Sequence, residues 1–342
     1  MNLKKILLGL TCLILVSGCG IPTTKDGEEA VVTFKNEDKK HNITADDLYE
    51  LLKEKYGFDE LITLIDTYVL ESEFEDYKTT AKDYANNYIK GQKTNFNSDE
   101  EFLNTVKQSY GFKTIDEYNS YVYLSYMQSH AIEEYAKSLV TDKQIEKYYK
   151  EDAKENVETY HILITPKVKD DMNDDEIKKA EKKAMDKAEK LLKEINSSDD
   201  KLKTFKKLAK KNTEDDATKD KSGNLGYINE FTLGTEYDEL VKAVYEIKDG
   251  EVYGKVVTTE LGYHLVLRNA SKEKDSLEDM KEDILNKLSQ SVMAADPNFA
   301  VTTMKHYRDK YNMKITDKDL DKSYRTYIND LTTQTSANMN QQ

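Results

Sequence analysis

The spacing of apolar residues along this chain changes twice. Between about 44 and 150 they recur at intervals of three and four residues, as at Leu48, Leu51 and Leu52, which is typical of helices. From Val157 short apolar runs alternate with turns and helical stretches, and from about 277 the helical spacing returns. This pattern predicts a small α+β domain inserted between two mainly helical pieces.

The N-terminus has the features of an export signal. Two lysines precede an apolar run over 6–16, which is too short to cross a bilayer as a helix. The small residues Ser17 and Gly18 then stand directly before Cys19, an arrangement that resembles a bacterial lipobox. That resemblance implies cleavage before Cys19 and a lipid on its sulfur, which would hold the protein on the outer face of the cell membrane. A plain secretory peptide is the alternative.

We divide the chain into five segments. A lipoprotein signal peptide covers 1–18, an N-terminal helical segment 19–156 and the α+β domain 157–271. A C-terminal helical segment, 272–330, is expected to pack on the N-terminal helices, since neither piece alone has the pattern of a complete globule. The tail 331–342 is rich in Thr, Asn and Gln and is predicted to be disordered. In the α+β domain the element order β-α-α-β-α-β-β predicts a small antiparallel sheet with covering helices.

Composition excludes several classes of function. A net charge of −14 argues against binding to a phosphate backbone, so no nucleic-acid partner is expected. The 5 His and 2 Cys argue against a zinc site, and there is no GxGxxG or GxxxxGK[ST] motif. We therefore expect no metal and no cofactor.

Five short stretches of the α+β domain resemble parvulins, in the order and at the spacing of that family. They are 161–164, 205–215, 219–226, 248–252 and 262–266. The whole chain resembles the PrsA-type foldase lipoproteins of Gram-positive bacteria, in which a parvulin domain lies between two chaperone segments. The resemblance implies a peptidyl-prolyl cis/trans isomerase that assists the folding of exported proteins, with unfolded or partly folded chains containing X-Pro bonds as partners.

The same resemblance implies the catalytic residues His161, Asp215 and His264. Two of the five histidines fall at the family's two strand positions, where they are expected side by side at the centre of the sheet. Asp215 stands where parvulins have Cys or Asp, and the adjacent Asp216 leaves the alignment open by one residue.

The proline-binding slot is less well matched than the histidines. By resemblance its candidates are Leu225, Leu233, Tyr237, Leu240 and Thr259. The stretch 231–240 contains no Met, so either Leu233 or Tyr237 takes the family's Met position, while Leu240 takes its Phe position. Thr258 is the alternative to Thr259. These departures favour a second hypothesis, a holdase chaperone whose parvulin-like domain binds clients with weak catalysis.

Tyrosines are concentrated in the N-terminal helices, with 14 of the 24 between residues 49 and 149. A tyrosine offers a broad apolar surface with a polar tip. Three interpretations stay open: a client-binding crevice, the contact face of a homodimer, or the core of a helix bundle.

Overall fold

The computed structural model describes residues 30–32 and 43–339. The predicted signal peptide and Cys19 lie outside the described residues. The chain forms two compact units. The first comprises the described residues up to Glu133 together with those from Asp296, and the second comprises Glu134–Ala295.

Helices predominate in the first part of the chain and at its end, and strands are concentrated between them. The elements up to residue 151 are β1 (Ala30–Val32), β2 (Ile43–Thr44), α1 (Ala45–Leu52), α2 (Phe58–Glu73), α3 (Lys78–Lys93), α4 (Asp99–Tyr110), α5 (Ile115–Ser138) and α6 (Asp142–Glu151). The next are β3 (Asn156–Ile164), α7 (Asp174–Asn196), α8 (Lys201–Asn212), α9 (Asp216–Lys219), β4 (Asn224–Ile228), α10 (Asp238–Tyr245), β5 (Val257–Thr259) and β6 (Gly262–Lys272). The last are α11 (Leu277–Ala295), α12 (Phe299–Lys310) and α13 (Lys318–Met339). The predicted α+β class, a small antiparallel sheet within a mainly helical chain, is confirmed.

Several helices begin where side chains satisfy the free backbone N–H groups of the first turn. Thr44, Thr141 and Asn173 each accept a hydrogen bond from the third residue of the helix that follows, and the side chain of that residue accepts one in return. These reciprocal caps fix the starts of α1, α6 and α7. The sequence predicts all three caps, because a Thr or Asn stands directly before each helical run of apolar residues.

In the first unit, the end of the chain packs on the N-terminal helices. Both α12 and α13 contact α2. Arg308 of α12 forms a two-pronged ion pair with Asp66 of α2, with Nε–Oδ1 and Nη2–Oδ2 distances of 2.8 Å. Both side chains are 3% exposed or less. Gln128 of α5 donates a further hydrogen bond of 3.1 Å to Asp66.

The tyrosines of the first unit divide between core and surface. Tyr118 and Tyr123 are buried, whereas Tyr68, Tyr110 and Tyr121 are each more than half exposed. Tyr121 lies one helical turn from Tyr118 on α5. The tyrosine-rich region therefore supplies both a bundle core and an aromatic surface.

The second unit is built on a four-stranded antiparallel sheet in the order β4-β3-β6-β5. Helices α7 and α8 cover one face through an apolar cluster of Tyr160, Ile162, Ile164, Leu191, Ile195, Phe205, Leu208, Leu265 and Leu267. Helix α10 covers the other through Val157, Ile228, Leu240, Ala243, Val244, Val257 and Val266. Because both faces are covered, β3 is buried along almost its whole length.

The second unit extends beyond the predicted bounds 157–271. Helices α6 and α11 pack on each other around Ile145, Met280 and Ile284, and Tyr148 and Phe231 pack against this cluster. The apolar faces of α6 and α11 thereby pack against each other, and both helices belong to the same compact unit as the sheet.

Two local expectations differ from the structure. The sequence predicts a strand over 252–257, but Val252 forms only one bridge to Leu267, and β5 begins at Val257. The predicted disordered tail begins at 331, whereas α13 continues to Met339. Residues 318–339 contain no Gly or Pro, and extending a formed helix by one residue needs less free energy than nucleating a new one.

Among the described residues, no helix is long and apolar enough to cross a membrane.

Candidate active site

Two buried histidines meet at the centre of the sheet. His161 lies on β3 opposite Val266, and His264 lies on β6 opposite Leu163, so the two are diagonal neighbours on one face. Their Nδ1 atoms are 3.2 Å apart, and their rings stack at 5.4 Å with an angle of 18°. Both side chains are fully buried. The structure thus brings together the two histidines that the sequence singled out.

Asp215 reaches His161 from the loop that follows α8. This loop is fixed to β3, because the Leu163 N–H donates to the Thr213 hydroxyl at 3.0 Å and the Glu214 N–H donates to the Leu163 carbonyl at 2.8 Å. Asp215 Oδ2 then lies 2.8 Å from His161 Nε2. Asp215 Oδ1 accepts from the backbone N–H of Ala217 at 3.1 Å and so caps α9.

The alternative carboxylate, Asp216, is exposed at the first position of α9. Of the two neighbouring acids, Asp215 is therefore the one that contacts a histidine.

The backbone of Gly223 contacts the backbone of His161. Its carbonyl accepts the His161 N–H at 2.8 Å. Gly223 has a φ of +84°, and a Cβ at this position would lie 2.3 Å from the His161 carbonyl oxygen. Only glycine combines this conformation with so close an approach to β3.

Thr218 is a site residue that the sequence analysis missed. Its buried hydroxyl lies 3.0 Å from His161 Nε2 and donates a short hydrogen bond to Asp215 Oδ2. A hydroxyl three residues after a capping aspartate lies within reach of the aspartate side chain in the first helical turn. The spacing of three residues between Asp215 and Thr218 was the only sequence signal for this contact.

Thr259 contacts the other end of the histidine pair. Its hydroxyl lies 2.9 Å from His264 Nε2 and accepts the backbone N–H of Leu261 at 3.1 Å. Thr258, the alternative, is exposed on the opposite face of β5. The polar groups therefore form a row from Asp215 through both histidines to Thr259.

Apolar side chains border this polar row. Leu225, Leu233 and Tyr237 are half-buried against the cluster under α10, and Leu240 lies fully buried within that cluster. The Tyr237 ring stands edge-on to both histidine rings, at 6.4 Å from His161 and 6.0 Å from His264. All five candidates for the slot therefore lie on the histidine face, with Leu240 beneath the accessible surface.

The electrostatics of the row follow from its contacts. Hydrogen bonds from His161 and Thr218 hold the pKa of the Asp215 carboxyl well below its usual range, against the opposing effect of burial. Burial and the neighbouring His161 lower the pKa of His264 to about 3. At neutral pH Asp215 is therefore ionised and His264 is neutral.

Within the described ranges, no group of three or more His, Cys, Asp or Glu side chains is placed to hold a metal ion. The face instead offers a row of polar groups beside an apolar wall. This arrangement can bind a small apolar ring and adjust the polarity around an adjoining amide.

Comparisons with known proteins agree with this geometry. The family model of the PPIC-type peptidyl-prolyl isomerase (rotamase) domain matches residues 161–270. Foldase protein PrsA of Staphylococcus epidermidis is 30% identical over 329 residues, which cover 96% of this chain and 92% of that protein. Foldase protein PrsA of Geobacillus kaustophilus is 30% identical over 312 residues, covering 90% and 92%. The crystal structure of foldase protein PrsA from Streptococcus pneumoniae has the same fold, with a TM-score of 0.59 at 20% identity over 86% of this chain and 98% of that one.

Proposed function

The chain belongs to the PrsA family of foldases and is a parvulin-type peptidyl-prolyl cis/trans isomerase, and from this we propose that His161, Asp215 and His264 form its catalytic centre. One observation carries the proposal. The row Asp215–His161–His264–Thr259 lies on the same face of the sheet as Leu225, Leu233 and Tyr237. A polar row beside an apolar wall suits an X-Pro amide, in which a polar peptide group adjoins an apolar ring.

The reaction breaks no covalent bond. Its barrier of about 18–20 kcal/mol comes from the amide resonance that is lost as the bond twists. An enzyme lowers this barrier by binding the twisted amide more tightly than either planar form. In our proposal the proline ring lies against Leu225, Leu233 and Tyr237, above the buried Leu240. The histidine pair sets the polarity beside the amide, and Asp215 and Thr218 orient His161.

The test is the rate of cis/trans exchange in short X-Pro peptides, measured by NMR with the purified protein. We expect accelerated exchange, and loss of that acceleration in the His161→Ala, His264→Ala double variant. His306→Ala, which removes an exposed histidine of α12 in the first unit, is the matched control. Equal acceleration by the double variant and the wild type would refute the site assignment.

We further propose that the protein works outside the cell membrane, held there by lipid on Cys19, and that its clients are exported proteins. The support is the sequence before Cys19 and the family's foldase role. A Cys19→Ala variant should move from the membrane fraction to the soluble fraction or the medium. Retention of this variant in the membrane fraction at the wild-type level would contradict the anchor.

Two neighbouring exposed tyrosines of the first unit are the surface that we propose for client contact. Tyr110 and Tyr121 each present more than half of their surface to solvent, and both rings stack on that of Tyr118, at 5.1 Å and 6.4 Å between centroids. A second copy of the chain is the competing occupant of this surface. Analytical ultracentrifugation of the wild type and a Tyr110→Ser, Tyr121→Ser variant distinguishes client contact from dimerisation. If the surface is a dimer face, the two substitutions should lower the sedimenting mass.

A further inference from the structure

The hydrogen-bond distances of the site are compatible with one chain of donors and acceptors that ends at Asp215. Ionised Asp215 can only accept, so the His161 Nε2–H must donate to it. Where His161 Nδ1 carries no proton, the 3.2 Å contact is a hydrogen bond that His264 Nδ1–H donates to it. His264 Nε2 is left bare and accepts the hydroxyl proton of Thr259 at 2.9 Å. In this tautomer the protons of the row all point towards Asp215.

In this arrangement the row offers no hydrogen-bond donor to a bound substrate. The Thr218 hydroxyl proton is also directed to Asp215. In the tautomer described above, each N–H and O–H of the His161, His264, Thr218 and Thr259 side chains is directed to another member of the row. A hydrogen-bond donor near the amide nitrogen stabilises the twisted form, because the nitrogen regains a basic lone pair when resonance is lost. In that tautomer the donor comes from outside the row.

Tyr237 is placed to supply it. Its ring contacts both histidines edge-on, at 6.4 and 6.0 Å between centroids. In the part of the chain that the structure describes, the Tyr237 hydroxyl forms no side-chain hydrogen bond, and it is not among the buried polar atoms that lack a partner. The hydroxyl is therefore both uncommitted and accessible. Burial and the nearby charges of Asp215 and Glu236 raise the pKa of Tyr237, so it keeps its proton.

We propose that the Tyr237 hydroxyl is a catalytic hydrogen-bond donor, which binds the X-Pro amide as it twists. This inference rests on the isomerase site described above and assigns to Tyr237 a role beyond that of an apolar wall. A leucine or a methionine at this position could not donate. Tyr237 offers both an apolar ring and a proton.

The test compares variants of the full chain in which Tyr237 loses either its hydroxyl alone or both its ring and its hydroxyl. Tyr237→Phe keeps the ring, so we expect an unchanged KM for an X-Pro peptide and a kcat reduced about tenfold, the loss of one hydrogen bond of about 1.4 kcal/mol. Tyr237→Leu removes both ring and hydroxyl and should also raise KM. Tyr227→Phe, which removes a hydroxyl outside the site, should match the wild type.

Thermal unfolding of each variant shows whether the fold is retained. A Tyr237→Phe variant with a kcat within twofold of wild type overturns the proposal, whatever the result for Tyr237→Leu. A raised KM with an unchanged kcat for Tyr237→Phe also overturns it, since that pattern indicates a contact made equally in the ground state and the transition state. A wild-type protein that leaves exchange at the uncatalysed rate would overturn the isomerase site itself, and is distinguished from a failure confined to Tyr237.

Discussion

At the level of single residues, the histidine pair depends on hydroxyl groups at both of its ends. Thr218 holds the Asp215 carboxylate that orients His161, and Thr259 hydrogen-bonds His264. A fully buried imidazole that lost one of these partners would keep its position less well, because the interior offers no water in exchange.

Removing the Thr218 hydroxyl tests this arrangement. Thr218→Val keeps the shape of the side chain but removes the donor to Asp215, so we expect a fall of about tenfold in kcat/KM, equivalent to about 1.4 kcal/mol. Thr218→Ser retains the hydroxyl and should restore most of the activity. Equal activities of the Val and Ser variants would show that the hydroxyl has no part in positioning His161.

The buried His264 makes stability depend on pH. Its folded pKa of about 3 lies below the ordinary value of about 6.5. Between these values the unfolded chain binds a proton that the folded chain does not, so stability rises with pH across this window and levels off above it. The slope is at most about 1.4 kcal/mol per pH unit.

We therefore expect the free energy of unfolding of the second unit to fall between pH 6.5 and 4.5, as measured by urea titration at several pH values. The free energy of unfolding of the His264→Gln variant should fall less steeply, because this variant lacks the group that takes up the proton. This range lies above the ordinary pKa of aspartate, which keeps the contribution of Asp215 small. Parallel slopes for the two proteins would contradict the burial argument.

At the level of elements, β3 positions the site because it is contacted on all sides. It pairs with β4 and β6, and the loop of Thr213 and Glu214 bonds to its end. The turn before β4 must also approach β3 closely. Gly223 lies in this turn, at a point where a side chain would not fit.

Two glycines with nearly the same φ allow the effect of this close approach on stability to be measured. Gly223 and Gly226 have φ values of +84° and +83°, but only a Cβ at Gly223 would meet other atoms, at 2.3 Å from the His161 carbonyl oxygen. Gly226→Ala should cost about 1 kcal/mol of stability from its backbone conformation alone. Gly223→Ala should cost several times more and should also lower activity. Similar unfolding midpoints for the two variants would show that the turn can move away from β3 at little cost.

At the level of the whole molecule, the first unit is closed by two residues that are 242 positions apart in the chain. Asp66 and Arg308 are both buried and form a bidentate pair. Removing one partner leaves a buried charge without compensation, which is strongly destabilising.

The same helix provides a comparison for this pair. Arg308→Met should destabilise the first unit by about 3–5 kcal/mol, because Asp66 stays buried. Lys310→Met removes the more exposed pair with Glu73 and should cost less than about 1 kcal/mol. Chemical unfolding of both variants, followed by circular dichroism, measures the difference. An Arg308→Met protein as stable as Lys310→Met would mean that the buried pair does not hold the unit together.

The sequence by itself determined the fold class, the family resemblance and the helix caps. These depend on neighbouring residues: apolar spacing defines an element, and Asn173 with Glu176 defines a cap within one helical turn. His161 and His264 could be singled out in the same way, because each lies in a short stretch that resembles a parvulin strand.

Only the tertiary structure decided which of several neighbouring candidates reach the histidines. Asp215 and Asp216 differ by one position, and so do Thr258 and Thr259, but the turn of a helix or the alternation of a strand directs only one of each pair to the site. Thr218 and the extension of the second unit by α6 and α11 were missed for the same reason. Such contacts join residues far apart in the chain, 54 positions for Asp215 and His161, and local sequence patterns contain no distances across the fold.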